Sequence, residues 1–325
     1  MTGPTPSARD GATDQLPPAP EICIAICTLD RPLELARTLS ALARIDLSCV
    51  SEILVIDQSA HPFRPGCLRE KLPVPLSVVH HRARGLGVGR NEALHRARSE
   101  IVLFLDDDVI PEHDLLTAHL DVYRRRPAAV GVAGYEALPR AWREQPAVRF
   151  RSFVRRIVTP LLVRDDGYRR YLDARGEPVA VITPSGLFLC DFARDQECRV
   201  MTPRGCNMSW RRSVLLSLGG FDPGAVGPRR DESDMALRVI AASPDAEIWF
   251  EPRARVVHLM HPRGGCRSLS RRASLAALLR SEARFARRHL LARGRWLCLA
   301  RLAAVHSPGL VRFPGLIRAL LAAER

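Results

Sequence analysis

The sequence predicts an α/β protein: a mostly parallel, doubly wound sheet flanked by helices, followed by a basic helical extension. Three observations predict it. Short apolar runs that suit buried strands (ICIAIC, ILVI, IVLFL) alternate with stretches of helical periodicity, the pattern of βαβ units. The runs are apolar at consecutive positions, as strands covered on both faces require. Polar residues capable of chemistry stand where the runs end, which is where open parallel sheets bind ligands.

Residues 1–20 lack the apolar core of a signal peptide and read as a flexible leader. The first strand is EICIAIC, with Ile22, Ile24 and Ile26 interleaved by Cys23, Ala25 and Cys27. Pro32 then opens a helix through LELARTLSALARI, since proline suits a first turn. EILVID is a second strand ending at Asp57, and VPLSVVHH a third after a proline-containing connection. GLGVGRNEALHRARS is glycine-rich and then helical, with Arg90 and Asn91 at the helix opening. IVLFL is the fourth strand and ends in Asp106, Asp107 and Asp108. A helix over PEHDLLTAHLDVYRRR leads to a fifth strand, AAVGVAGYEA. Residues 140–200 are Arg-rich and break the rhythm, as an insertion or flap would. RGCNMSWRRSVLLSLGGFDP reads as a loop, a helix and a Gly-Gly stop, and DESDMALRVIAAS as another helix. AEIWFEPRARVVHLMHPRGG holds one or two strands ending near His258. From about Leu269 the chain is Arg/Leu/Ala-rich and helical to residue 293, with a tail beyond.

A chain of 325 residues with 46% hydrophobic content can bury a sizeable core. Net charge is +14, which invites an anionic partner. Lys71 is the only lysine, so the charge is nearly all arginine, as genome composition alone can produce. Arginine also grips phosphates in bidentate fashion. No nucleic-acid recognition motif accompanies the charge, and no nucleic acid is expected as a partner. The nine cysteines include no Cys-x-x-Cys, which argues against a zinc site and a secreted disulfide framework. No apolar stretch reaches the roughly 18 residues of a membrane span. The expected location is cytoplasmic, with possible peripheral contact at the inner face of an anionic membrane through SLSRRASLAALLRSEARFARRHLLARGRW. The competing reading packs that helix's Leu/Ala face on the domain and solvates its arginines.

Adjacent carboxylates repel, and their pKa values rise unless a cation holds them. The Asp106–Asp108 triplet is therefore either a solvated loop or hard oxygen ligation for Mg2+ or Mn2+, ions that keep positions open for substrate phosphates. Asp231, Glu232 and Asp234 open a helix, where acids are favoured by the macrodipole; they also offer a general base for a hydroxyl. Arg238 stands four residues after Asp234 and can pair within the cluster. His258, with His261 as competitor, can complete a carboxylate metal site as a neutral imidazole. GLGVGRN is not a Walker sequence, because no Gly-Lys-Ser/Thr follows.

Taken in order, CTLDRP, LVIDQS, GLGVGRNEAL, IVLFLDDDVIP, RGCNMSWRR with GGFDP, DESDMALR and EPRARVVH resemble the family 2 glycosyltransferases. The resemblance runs from about residue 21 to 262. It implies the GT-A (nucleotide-diphospho-sugar transferase) fold over 21–262, with a nucleotide-binding half (21–135), an acceptor-binding half (136–262) and an extension over 263–325. It further implies a nucleotide-sugar donor, a divalent metal (Mn2+ or Mg2+) and inversion at the anomeric carbon. By position, Thr28 and Asp30 would line the nucleotide pocket, Asp57 would bind the base, and Arg90 would contact the nucleotide. Asp106 and Asp107 would lie against ribose and donor. Asp108, with Asp106 and His258, would hold the metal. Arg204 to Ser209, with Gly205, Asn207 and Met208 as the acceptor contacts, would form part of the donor-sugar and acceptor cavity. Glu232 aligns with the family's base, and Asp231 remains open for that role. Leu29-Asp30 replaces the family's usual aromatic-Asn pair, so base stacking at residue 29 is lost or replaced. A hydrogen bond from an imide N–H to Asp57 would favour UDP- or dTDP-sugars. The Gln-x-x-Arg-Trp motif of processive synthases is absent, which implies one sugar per encounter. The acceptor class stays open among cell-envelope glycans, lipid-linked saccharides and natural products. A catalytically silent scaffold homologue is the alternative, motivated by the altered pairs at 29–30 and 231–232.

Overall fold

The computed structural model describes residues 22–144, 166–184, 186–224, 231–260, 271–290, 292 and 295–296. The leader over 1–20, part of the 140–200 insertion, His261 and the tail beyond residue 296 lie outside the described residues.

The first half is built from β1 (Ile22–Thr28), α1 (Pro32–Leu42), β2 (Val50–Asp57), α2 (Leu68–Lys71), β3 (Leu76–His80), α3 (Leu86–Arg96) and β4 (Ile101–Asp106). Its four strands are parallel, in the order β3-β2-β1-β4. The period-2 alternation of β1 sorts its residues by size. Ile22, Ile24 and Ile26 pack on the face covered by Leu35, Leu39 and Leu42 of α1. Cys23 and Ala25 face the other way, where Ala93 and Leu94 of α3 cover them. Full burial of each such Ile or Leu contributes about 1.5–3 kcal/mol. The glycine run before Arg90 serves close packing: a Cβ on Gly87 would stand 2.6 Å from the Asp222 carbonyl oxygen.

The second half contains β5 (Val109–Pro111), α4 (Leu115–Arg125), β6 (Ala129–Ala137), α5 (Arg140–Arg143) and α6 (Asp166–Arg169). A hairpin of β7 (Ala180–Ile182) and β8 (Phe188–Cys190) follows, then β9 (Cys198–Arg199) and β10 (Asn207–Arg211). The described chain continues through α7 (Arg212–Ser217), α8 (Asp231–Ala242), β11 (Glu247–His258) and α9 (Arg271–His289). The complete sheet runs β3-β2-β1-β4-β10-β6-β11-β5, with β9 also on β11.

Two sequence expectations are corrected here. RGCNMSWRR is not all loop: Asn207–Arg211 is β10, antiparallel between β4 and β6. Its signal is hidden because Asn207 and Ser209 are polar yet fully buried, held by the imidazole of His119 on α4. Of the one or two strands expected after α8, the structure forms one, β11, with a register shift between Glu251 and Arg255. Helix α3 starts at Leu86, so Arg90 and Asn91 sit in its second turn instead of at its opening. Among the described residues no helix is long and apolar enough to cross a membrane.

Candidate active site

Register brings the functional strand ends together. Thr28 pairs with Asp57 across β1 and β2, Cys27 with Asp106 across β1 and β4, and His258 with Val109 across β11 and β5. The chain turns sharply after Asp106, and α1 holds that turn. Thr38 Oγ1 donates to the Asp107 carbonyl at 2.8 Å and accepts from Val109 N at 3.2 Å. Asp107 takes hydrogen bonds at 2.7 Å from both Thr28 Oγ1 and Arg31 Nη1. Arg31 also approaches Asp108 at 3.4 Å. Leu259 N donates to the Asp108 carbonyl at 2.8 Å, tying the chain after β11 to the triplet.

The resulting cluster is Asp106, Asp108 and His258, whose ligand atoms all lie within 4.8 Å of one another. His258 Nε2 is 3.1 Å from Asp108 Oδ1 and 3.8 Å from Asp106 Oδ2. Two carboxylates and an imidazole form a donor set that suits a hard or borderline divalent cation. The protonation states fit a cation-seeking site. Burial raises the pKa of Asp106, while His258 and Arg90 oppose that rise. Burial pushes Asp107 up to about 6 despite Arg31. For His258, burial acts against charge, but Cys206, Asp108 and Glu136 outweigh it and hold the imidazole protonated well above its ordinary range. Its proton balances charge that a bound cation would balance directly.

A second acidic pair opens α8. Asp231 and Glu232 are both buried, and Arg90 lies against them. Arg90 Nη1 bonds Asp231 and stands 3.8 Å from Glu232. Its Nη2 donates to the Gly205 carbonyl at 3.1 Å, and its guanidinium packs over the rings of Phe104 and Phe221. The two carboxylates therefore differ. Burial raises both, but the Arg90 charge overcomes it at Asp231, which is held below its ordinary value. Glu232 is pushed well above its ordinary value by burial and then by the neighbouring Asp231 charge. A carboxylate so raised holds a proton more tightly than a free one, as a general base for a hydroxyl requires.

Several other expected residues have partners within the protein. Asp57 is fully buried, and its oxygens accept from Ser59 N at 2.9 Å and Phe63 N at 2.6 Å; it shapes the loop after β2. Asp30 adopts a left-handed backbone (φ 55°), accepts from Ala60 N and lies 3.8 Å from exposed Arg84. Arg90 directs one donor to Asp231 and one to the Gly205 carbonyl. Asn207 and Met208 are fully buried in the sheet. Asn207 Nδ2 donates to the carbonyls of Tyr135 (3.2 Å) and Ala254 (2.8 Å). Its Oδ1 must then accept from His119 Nε2 at 2.9 Å, which leaves His119 Nδ1 to accept from Ser209.

Glu136 also reaches the site, and no motif assigned it a role there; Arg204 and Cys206, from the segment expected in the sugar and acceptor cavity, lie beside it. Glu136 Oε1 is 2.7 Å from His258 Nδ1, and Arg204 Nε is 2.9 Å from Glu136 Oε2. The one available signal was a carboxylate at the end of an apolar strand, VAGYEA.

Residues 23–184 match the family model described as glycosyl transferase family 2. No curated protein matches the chain. Among solved structures, GalNAc-T7 with UDP, GalNAc and Mn2+ is similar with a TM-score of 0.55 at 14% identity, over 81% of this chain and 48% of that one. The chain thus spans about half the length of that protein. The mannosyltransferase PcManGT from Pyrobaculum calidifontis, in complex with GDP-Man and Mn2+, is similar with a TM-score of 0.52 at 17% identity, over 94% of this chain and 75% of that one. At such identities the likeness is one of fold, and the shared fold is the GT-A glycosyltransferase fold.

Proposed function

The chain is a family 2 glycosyltransferase through residues 23–184, and on that premise we propose that it moves one sugar from a nucleoside-diphosphate donor to an acceptor hydroxyl, with divalent-metal assistance and inversion. The observation that carries this reading is the presence of two acidic groups with unlike electrostatics. One, Asp106–Asp108 with His258, converges on a cation-ligating cluster. The other, Asp231–Glu232, is divided by Arg90 into a fixed anion and a raised proton acceptor. The Mn2+ bound in both similar structures supports a divalent ion for this chain.

Asp106, Asp108 and His258 would hold the ion, which when bound would offset charge developing on the diphosphate. The chain's own residues do the rest. Arg31 and Thr28 keep Asp107 in place beside the cluster. Glu232 takes the proton of the acceptor hydroxyl as its oxygen bonds the anomeric carbon and the bond from that carbon to the diphosphate oxygen breaks. The products are a glycoside and a nucleoside diphosphate. Asp231 stays ionised against Arg90 and so keeps the proton on Glu232 once transferred.

The Asp57 carboxylate already accepts from two backbone N–H groups of its own loop. The partly exposed Asp30 carboxylate, with Arg84 beside it, replaces Asp57 as the group that can meet an imide edge. The deciding experiment is a thermal-shift panel of UDP, dTDP, GDP and CDP, with and without Mn2+ or Mg2+, on the wild type and Asp108→Ala. Stabilisation that needs both nucleotide and metal, and vanishes in the variant, is expected. No shift under any condition would overturn the reading.

A further inference from the structure

His258 is gripped from both sides, and the two grips differ. On one side its Nε2 faces Asp108 at 3.1 Å and Asp106 at 3.8 Å. On the other its Nδ1 meets Glu136 Oε1 at 2.7 Å. Glu136 belongs to β6 and pairs in register with Val256, two residues before His258. Its side chain is only 3% exposed, so its charge needs compensation. Arg204 supplies it, with Nε 2.9 Å from Oε2. An ionised carboxylate is acceptor-only, so Nδ1 must be the donor in the contact with Glu136. The ring's metal-binding lone pair is then the one on Nε2. This is the carboxylate–histidine arrangement that orients metal-ligating imidazoles.

A rival arrangement exists on the same ring. Glu136, Cys206 and His258 also place their ligand atoms within 4.8 Å of one another. A cation there would sit on the Nδ1 face with a thiolate ligand. One feature opposes it: the guanidinium of Arg204 already neutralises Glu136 and would repel a second cation.

We infer that Glu136, anchored by Arg204, is a positioning residue that aims Nε2 of His258 at Asp106 and Asp108, so that a divalent cation takes the Nε2 face and not the Nδ1 face. The inference rests on the divalent-metal reading given above. Strand architecture prepares the aim. Asn207 ties the Tyr135 and Ala254 carbonyls together. Gly134 permits that approach, since a Cβ on it would stand 2.0 Å from Asn207 Nδ2. The β6 and β11 ends that carry Glu136 and His258 are thereby locked side by side.

The test uses the full chain, freed of metal and titrated with Mn2+ while free ion is followed by electron paramagnetic resonance. Wild type should bind, and Asp108→Ala should not. Glu136→Gln keeps an acceptor for Nδ1 and should weaken binding less than 10-fold. The double variant Glu136→Leu with Arg204→Met removes both buried charges together, which favours folding, and should weaken binding by about 10- to 100-fold with melting near wild type. Co2+ bound to wild type should show no thiolate-to-cobalt charge-transfer band. Wild-type Mn2+ affinity in the double variant, or a thiolate band that Cys206→Ser removes, would overturn this inference while leaving the metal reading intact. Failure of wild type to bind any Mn2+ would overturn both.

Discussion

Arg90 decides what two neighbouring carboxylates can do. Its guanidinium cannot lose its proton in a protein, and its bond to Asp231 makes that carboxylate a permanent anion. Repulsion from that anion adds to the burial that raises Glu232. Glu232→Gln should therefore lower kcat by about 10²- to 10⁴-fold with melting unchanged, the usual scale for a lost general base. The acid limb of the wild-type pH–rate profile should lie above the ordinary carboxylate range, with activity falling as pH drops through the raised value. Removing the anion with Asp231→Asn should move that limb to lower pH. An unmoved limb would assign the proton transfer elsewhere. Asn207 makes a contrasting residue-scale case, because its three side-chain hydrogen bonds are all internal. Each buried partner left unsatisfied costs about 1–3 kcal/mol, so Asn207→Ala should destabilise by roughly 3 kcal/mol or more in urea melts.

At the scale of elements, helix α9 is clasped to α8 through ions. Asp234 meets Arg238 (2.9 Å), Arg288 (2.6 Å) and His289 (2.8 Å), while Asp222 meets Arg284 and Arg288. Phe285 and Ala286 fill the space beneath. Burial works against the Asp234 charge, but His289 and the two arginines hold its pKa at about 2, below the 3.8 of a free carboxyl. A depressed acid stabilises the fold above its unfolded pKa, and that contribution fades as pH falls through the folded one. The clasp should thus be intact at neutral pH and loosen between about pH 4 and 2, losing about 2 kcal/mol. Hydrogen exchange of the α9 amides checks this, with Asp234→Asn expected to be loose already at pH 7. Arg284 and Arg288 stay exposed along their length while their guanidinium groups reach these carboxylates.

For the whole molecule, stability and ligand binding are linked. A donor nucleotide at about 100 times its Kd, with metal, should add about 2.7 kcal/mol to the folded state. The accompanying rise in Tm should disappear in Asp108→Ala while that variant's ligand-free Tm stays near wild type. A nucleotide-dependent rise that survives the substitution would remove the triplet from donor binding.

Much of this protein was legible in one dimension. The apolar runs ending in Thr28, Asp57 and Asp106 announced a covered parallel sheet, because strand burial leaves a direct mark on composition. Pro32 marked the start of α1 for the same local reason. The DDD and DES segments announced carboxylate chemistry by residue type alone. Strand β10 was not legible, since its Asn207 and Ser209 are buried only by virtue of a histidine some ninety positions away. Neither were the partners of Asp57, Arg90 and Glu136. A carboxylate in a sequence carries no sign of whether its lone pairs face solvent, a cation or two backbone N–H groups. Local sequence determined which elements form and which residues stand at their ends. Only tertiary structure decided which charges meet, because pairing and burial depend on distance in space: Arg90 on Asp231, Glu136 on His258, and Asp57 on its own loop.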